Sequence, residues 1–499
     1  MGFVIKGGIL EKYNEEKHVV DVIVPYGVTE IMGYAFSECS SLVSITIPAG
    51  VLIIHEYAFC KCSSLKSIKL PRSLQWLGSN IFLECSSLER IEVSNENANF
   101  CSIDGVLYNK DLSVVLRCPA KKTAVSLPES VTTIDDWAFA GCSSLVQITL
   151  SKKLTEIGYC GFSDCTSLES ITIPYGVTCL KEGAFENCNS LTSIKLPESI
   201  EYIGEYAFSG CGPLVDVTIP SGVKDIGMNA FNWCESLINV KISESVTFIG
   251  SNAFGYCKSI ASIDVAEDNK FFSSIDGVLF DKALSVLIRC PVAKTSVSIP
   301  ESVVKIDSYA FANCERLTNI TLPQDLKEIG GFAFDGCTSL TNITIPNSVT
   351  DITGDYILDG CASLKKLTVC GCTVDYSPKY EYNLKDIIAM LKSRDYSMRI
   401  DKPVKYMFVV EIYNKTKQPE TEYFIRQNIK EIMHHFIDVG NIKMVKYLLE
   451  GGFMTKENIL SFIEYAIDHT QQGGDVQIQV LLTNYRMVHF PNLDTTPLV

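Results

Sequence analysis

The chain has 499 residues, 46% hydrophobic and 20% charged, an ordinary globular composition far from that of a disordered chain. Its 43 basic and 58 acidic groups leave a formal charge of −15, which disfavours nucleic acid and other polyphosphate partners. No apolar run approaches the roughly 18–20 residues of a membrane span, and Lys6 falls where a signal peptide needs its apolar stretch, so the expected location is the cytoplasm.

Residues 1–30 carry Phe3, Ile5, Gly8, Leu10 and Tyr13, then Val-Ile-Val-Pro-Tyr-Gly-Val. They read as a partial repeat that caps an array beginning near residue 31. The array declares itself through cysteine. Cys39, Cys62, Cys85, Cys142, Cys165, Cys188, Cys211, Cys234, Cys257, Cys314, Cys337 and Cys361 stand 23 residues apart, except for two gaps of 57 and a last gap of 24. This is a repeat period, with no CxxC metal spacing.

The unit reads Ala-Phe-x-x-Cys-x-Ser-Leu-x-x-Ile-x-Ile-Pro-x-x-Val-x-x-Ile-Gly, as in Ala184-Phe185, Cys188, Leu191, Ile194, Leu196-Pro197, Ile200 and Ile203-Gly204. Ile194 and Leu196 alternate with Ser193 and Lys195, so a short strand buries the first pair and exposes the second. Proline ends that strand. Val-x-x-Ile-Gly adds a second extended piece, and the Ala-Phe-x-x-Cys corner closes the coil. One coil cannot bury its own apolar side; stacked coils form columns of Phe, Leu, Ile and Cys, and a continuous parallel sheet is expected along one side.

These positions resemble the BspA-like leucine-rich repeats, widespread in bacteria and found in some protists, over residues 1–370. The resemblance implies a mainly β, right-handed repeat solenoid over 31–372 and a binding function rather than catalysis. The Cys column falls where such repeats carry an inward Asn or Cys, which makes the twelve thiols structural. Neighbouring coils lie about 4.8 Å apart, within disulfide range, but a column of identical rotamers does not supply the near-perpendicular dihedral, so reduced thiols are expected.

Both long gaps hold one insertion. Residues 100–119 and 272–291 share Ser-Ile-Asp-Gly-Val-Leu, Leu-Ser-Val and Arg-Cys-Pro at an offset of 172. Val106–Tyr108 and Leu112–Leu116 flank Asn109-Lys110-Asp111 as a β-hairpin, and the second copy turns near Asp281. An architectural and a ligand-contacting role for Asn109 and Asp281 both remain open. Cys101 is replaced by Ser273, which argues against a designed Cys101–Cys118 crosslink.

After Cys370-Gly371-Cys372 the beat stops and helical spacing begins. Residues 373–499 are expected to form a small all-α domain. Pro403 marks a helix start, Glu420–Ile437 carries helical apolar spacing, and Thr455 with Asn458 makes a cap short of a full capping box. Gly440-Asn441-Ile442-x-x-Val445-x-x-Leu448-Leu449-x-x-Gly452 resembles the second half of an ankyrin repeat, although the Thr-Pro-Leu-His signature is missing.

No catalytic or phosphate-binding motif occurs, and no cofactor or metal is expected. His18 and His55 are the only histidines of the repeat region, and His434-His435 read as a solvated helix face. Cys370-Gly371-Cys372 lacks a second ligand pair. What remains is surface: the outward strand column Thr46, Lys69, Glu92, Thr149, Thr172, Lys195, Thr218, Lys241, Asp264, Thr321 and Thr344. It has almost no aromatic residue, whereas protein hot spots favour Trp, Tyr and Arg. A hydroxyl ladder also suits a merely solvated sheet. The expected function is an interaction or scaffold protein with a protein or glycan partner. The alternative is a cell-surface adhesin, and a thiol or metal enzyme comes last because the phase of the cysteines already explains them.

Overall fold

Each 23-residue coil contributes two strands and one tight corner, and these stack coil upon coil. The computed structural model describes residues 2–15 and 19–493, in two compact units: residues 1–293 with 308–313, and residues 294–307 with 314–499.

In the first unit the shorter strands form the more continuous sheet. Val114–Arg117, Thr133–Ile134, Glu156–Ile157, Cys179–Leu180, Tyr202–Ile203, Asp225–Ile226 and Phe248–Ile249 pair in parallel without a break. The longer strands behave differently from the single sheet expected. They fall into separate parallel ladders: Asp21–Ile23 through Arg90–Val93, Ala124–Ser126 with Gln147–Thr149, Ser170–Thr172 with Ser193–Lys195, and Asp216–Thr218 through Ser262–Val265. Where serine or alanine follows the strand the ladder gains one more rung: Ser94 N–H donates to the Leu70 carbonyl at 3.0 Å and Ala266 N–H to the Ile242 carbonyl at 2.9 Å. Proline at that place, as at Pro71 and Pro197, removes the extra rung without unpairing the strands before it.

Inside, Phe139, Phe162, Phe185, Phe208, Phe231 and Phe254 form a stack with neighbouring ring centroids 4.9–5.6 Å apart. Leu191 is fully buried, while Ile194 and Leu196 are half-buried against the same core. The corner is a backbone device. Residues such as Tyr57, Trp137 and Tyr206 just before Ala-Phe, and Lys61, Asp164 and Trp233 just before Cys, all hold positive φ.

The thiols have a role beyond filling space. Cys188 Sγ–H donates to the Phe162 carbonyl of the preceding coil at 3.2 Å, and Cys62, Cys85, Cys165, Cys211, Cys234 and Cys257 repeat the bond to their own preceding Phe at 3.0–3.2 Å. The column is therefore a ladder of inter-coil hydrogen bonds. Burial pushes the Cys39 thiol up to about 12, and burial with neighbouring thiols holds Cys165 and Cys234 well above their ordinary value; at Cys188 the contact with Cys211 raises the thiol most, with burial second.

The insertion is a three-stranded meander rather than a hairpin. Phe100–Ile103 pairs antiparallel with Val106–Asn109, which pairs with Val114–Arg117. Asp104 and Gly105, at φ 53° and 77°, make the left-handed two-residue turn of the first pair. Asn97, 1% exposed, donates to the Pro71 and Leu74 carbonyls and accepts from the Asn99 and Phe100 N–H groups, which fixes the chain's departure from the coil. Its re-entry depends on Arg117, whose buried guanidinium donates to the carbonyls of Trp137, Phe82 and Ala140. Arg289 repeats the contacts with the Tyr309 and Ala312 carbonyls. The first sheet edge is sealed by a Gly7-Gly8 hairpin, Phe3–Lys6 against Ile9–Tyr13, which pairs on with Glu30–Ile31.

In the second unit the parallel strands Asn342–Ile345 and Lys366–Val369 end in an antiparallel strand, Cys372–Asp375. Cys370-Gly371 is its hairpin turn, with both residues at positive φ. Covering a sheet edge this way blocks further pairing. Among the described residues six helices follow: α1 Leu384–Ser393, α2 Lys402–Thr416, α3 Pro419–Asp438, α4 Ile442–Glu450, α5 Lys456–Gln471 and α6 Val476–His489. Lys415 of α2 donates to the Gly371 carbonyl and Lys392 of α1 to the Val349 carbonyl, so the helices attach directly to the last coils. At α5 the full capping box is present: Thr455 accepts from the Asn458 N–H, and Asn458 returns a bond from the Thr455 N–H.

Candidate ligand-facing strand face

The longer strands present their first and third residues outward, and the ladders place these in register. Thr46 faces Lys69 and Lys69 faces Glu92. Thr149 pairs with Ser126, and Thr172 with Lys195. Thr218, Lys241 and Asp264 form three consecutive rungs. In the second unit Thr344 pairs with Thr368, whereas Thr321 lies outside any strand. All eleven column residues are exposed except Glu92, which is half-buried and paired with Arg90 at 3.2 Å.

The rungs at Thr218, Lys241 and Asp264 border an open groove of about 440 Å³, lined also by Glu198, Ser221 and Ser243. Part of this polar array is already engaged. Ser221 donates from its N–H and its hydroxyl to Glu198 at 2.8 and 2.6 Å, which holds that carboxylate below its usual range. Asn239 reaches Asp216 one coil back at 3.2 Å. Such coil-to-coil bonds between side chains 23 residues apart give the face a fixed pattern of acceptors and cations.

The two insertion residues are used locally. Asn109 donates to the Ser113 hydroxyl and accepts from the Val114 N–H, both at 2.8 Å. Asp281 accepts from the Ser285 and Val286 N–H groups and from the Ser285 hydroxyl. Each closes its own loop. The Cys101/Ser273 exchange has an equally local meaning: Cys101 Sγ–H donates to the Asn109 carbonyl at 3.1 Å and Ser273 Oγ–H to the Asp281 carbonyl at 3.2 Å.

The solvated reading of His434-His435 is corrected. Both are half-buried: His434 stacks on Tyr465 at 3.8 Å and meets Phe462 edge-on, and His435 lies between Tyr380 and Tyr406. Burial lowers both imidazoles below their ordinary pKa. The two neighbours point apart, but α5 covers His434 on one side of α3 while Tyr380 and the α2 residue Tyr406 cover His435 on the other. His18 lies outside the described residues, and His55 sits 3.5 Å from Glu30 beside Trp76. Among the described residues no group of three or more His, Cys, Asp or Glu is arranged to hold a metal, and no helix is long and apolar enough to cross a membrane.

The pattern described as the BspA type leucine rich repeat region (6 copies) matches residues 11–112, 117–211, 161–282 and 290–388. No curated protein matches the chain. Among solved structures, a leucine-rich repeat protein from Bacteroides ovatus is 27% identical, with 73% of this chain and 91% of that one covered and a TM-score of 0.46. A leucine rich cell surface protein from Faecalibacterium prausnitzii is 24% identical, covering 74% and 93%, with a TM-score of 0.41. The pneumococcal vaccine antigen PcpA is 21% identical, covering 73% and 78%, with a TM-score of 0.38.

Proposed function

Because the chain belongs to the BspA type leucine-rich repeat family, we propose that it is a non-catalytic interaction protein that takes a protein or glycan partner on its outward strand face. The observation that carries this reading is the three-rung array Thr218, Lys241 and Asp264, exposed, in register and bordering an open groove. A hydroxyl, an amine and a carboxylate one strand spacing apart offer directional contacts to a polar partner. They supply no nucleophile with an adjacent base. The acidic balance turns phosphate-rich partners away.

The thiol ladder favours a reducing compartment, and hence a cytosolic scaffold over a surface adhesin. The ankyrin-like half-repeat at Gly440–Gly452 then serves as support for the last coils more than as a second binding array.

The test is affinity capture with the full chain, from native lysate and from extracellular material in parallel, followed by the charge reversals Lys195→Glu and Lys241→Glu. Loss of the captured partner at unchanged melting temperature is the expected result. Capture that survives both reversals would remove this face from the function.

A further inference from the structure

Where the first insertion rejoins the array, the regular stacking of corners is interrupted. In uninterrupted coils, N–H groups at three points of one corner donate to the next coil, as Cys160, Phe162 and Asp164 do to the carbonyls of Glu182, Ala184 and Glu186 at 2.8–2.9 Å. After Phe82 the corresponding acceptors are met instead by the insertion: the Cys118 N–H takes the Ala138 carbonyl, and the Arg117 guanidinium takes that of Ala140. One side chain and one amide stand in for a corner. They are smaller than what they replace, and the space left is a cleft of about 230 Å³ between the corner at Ser79-Asn80 and the corner at Asp135-Asp136-Trp137.

Its chemistry is specific. Arg117 is 6% exposed, and among the described residues its Nε–H finds no hydrogen-bond partner; the Asn80 Oδ1 is also buried and finds none. Among the described residues, two side chains lining one cleft thus hold a buried donor and a buried acceptor without a partner, and a group that does both jobs would satisfy them. A hydroxyl does. Asp135 and Asp136 add acceptors and a negative field, with one Asp136 oxygen already taken by the Tyr159 N–H at 2.8 Å. Phe100, Leu107 and Leu116 supply an apolar floor. The duplicated insertion repeats the polar pair, since Arg289 Nε and Asn252 Oδ1 are likewise buried and unpartnered. The rest of the lining is not repeated in full: Asp136 and Trp137 correspond to Ser308 and Tyr309.

We infer that the Arg117 cleft is a binding site for a neutral sugar ring, a second site separate from the strand face. A pyranose brings hydroxyls for Arg117, Asn80 and the two aspartates, an apolar face for the floor and Trp137, and no charge to oppose the carboxylates. A ring bearing a carboxylate meets Asp135 and Asp136 and is rejected.

The full chain is titrated with the methyl glycosides of glucose, galactose, mannose and N-acetylglucosamine, and with glucuronate, by saturation-transfer NMR and calorimetry. At least one neutral glycoside should bind in the millimolar range or tighter, and glucuronate at least tenfold more weakly. Asn80→Gly with Asn252→Gly keeps residues suited to the positive φ of both positions. It removes both acceptors and should weaken binding at least tenfold. Ser79→Val with Ser251→Val, which narrows the cleft, carries the same expectation should the first variant fail to fold. Lys195→Glu with Lys241→Glu should bind as the parent does, which separates failure here from failure of the strand-face reading. No transfer signal from any neutral glycoside, equal binding of glucuronate, or undiminished binding by a folded cleft variant would each overturn the assignment and leave the cleft to water.

Discussion

At the residue scale, the Phe and Cys columns hold the coils together by different forces. Phe185 is fully buried between Phe162 and Phe208, with centroids at 5.2 and 5.6 Å, so Phe185→Ala removes a large ring from a site flanked by rigid neighbours. Its expected cost is about 3–5 kcal/mol. Cys188 contributes one S–H bond to a Phe162 carbonyl that also accepts the Cys165 N–H at 3.3 Å. Cys188→Val keeps an apolar side chain and deletes only that donor, so its expected cost is about 1 kcal/mol. Chemical denaturation monitored by circular dichroism compares the two, and equal losses would show that the thiol ladder bears more of the load than hydrogen-bond energetics allow. Burial of both columns was legible in the 23-residue phase. The donor role of cysteine was not, because a periodic Cys reads the same whether its sulfur fills space or bonds a carbonyl. The positive φ of Tyr57, Tyr206 and Trp233 was hidden for the opposite reason: aromatic side chains predict extended backbone, and only the stacked corners overrule that preference.

At the scale of elements, helix packing creates a pH dependence that charge counting does not reveal. Burial is the largest cause of the lowered pKa at both His434 and His435; Asp438 works against it at each. A histidine whose folded pKa lies below its unfolded value binds fewer protons when folded, so its stabilising effect is complete above pH 6.5 and declines as the pH falls below that value. Melting of the helical segment should therefore drop between pH 7.5 and 5.5. His434→Phe retains an aromatic ring against Tyr465 and cannot titrate, so it should flatten part of that drop. Equal slopes for the parent and His434→Phe would assign the effect elsewhere. Elements set by local signals were readable in advance, as with Pro403 within the first turn of α2, whereas the Gly7-Gly8 hairpin was read only as part of a capping partial repeat. The third strand of the insertion was missed although Asp104-Gly105 is a strong turn signal, because Phe100–Ile103 alternates too weakly to read as a strand alone. The broken ladders were missed because pairing depends on the neighbouring coil, a partner that a single repeat does not show.

At the scale of the whole molecule, the question is why so many cysteines are compatible with one native state. Reactive thiols need exposure and nearby positive charge. Residues 375–499 carry 15 basic and 16 acidic groups, so nearly all of the net −15 belongs to residues 1–374, where twelve periodic thiols lie buried. The thiols outside the phase also have local explanations: Cys101 closes the meander, Cys370 forms a turn, and burial beside several carboxylates raises Cys160 to about 11. Burial raises Cys101, Cys160 and Cys370 alike, and so these three resist ionisation at neutral pH. Protein purified under argon without reductant should yield close to all twenty thiols on denaturing titration, and no stoichiometric zinc by elemental analysis. In the folded state the same reagent should reach only the half-buried Cys101, Cys160, Cys179 and Cys370 at an appreciable rate. Fast labelling of the periodic column in the native protein would mean that coils open locally, since nearest-neighbour stacking lets a few repeats unfold without the rest. A deficit of thiols after denaturation has a different meaning. It would place covalent or metal chemistry inside the column and remove the structural account of its 23-residue phase.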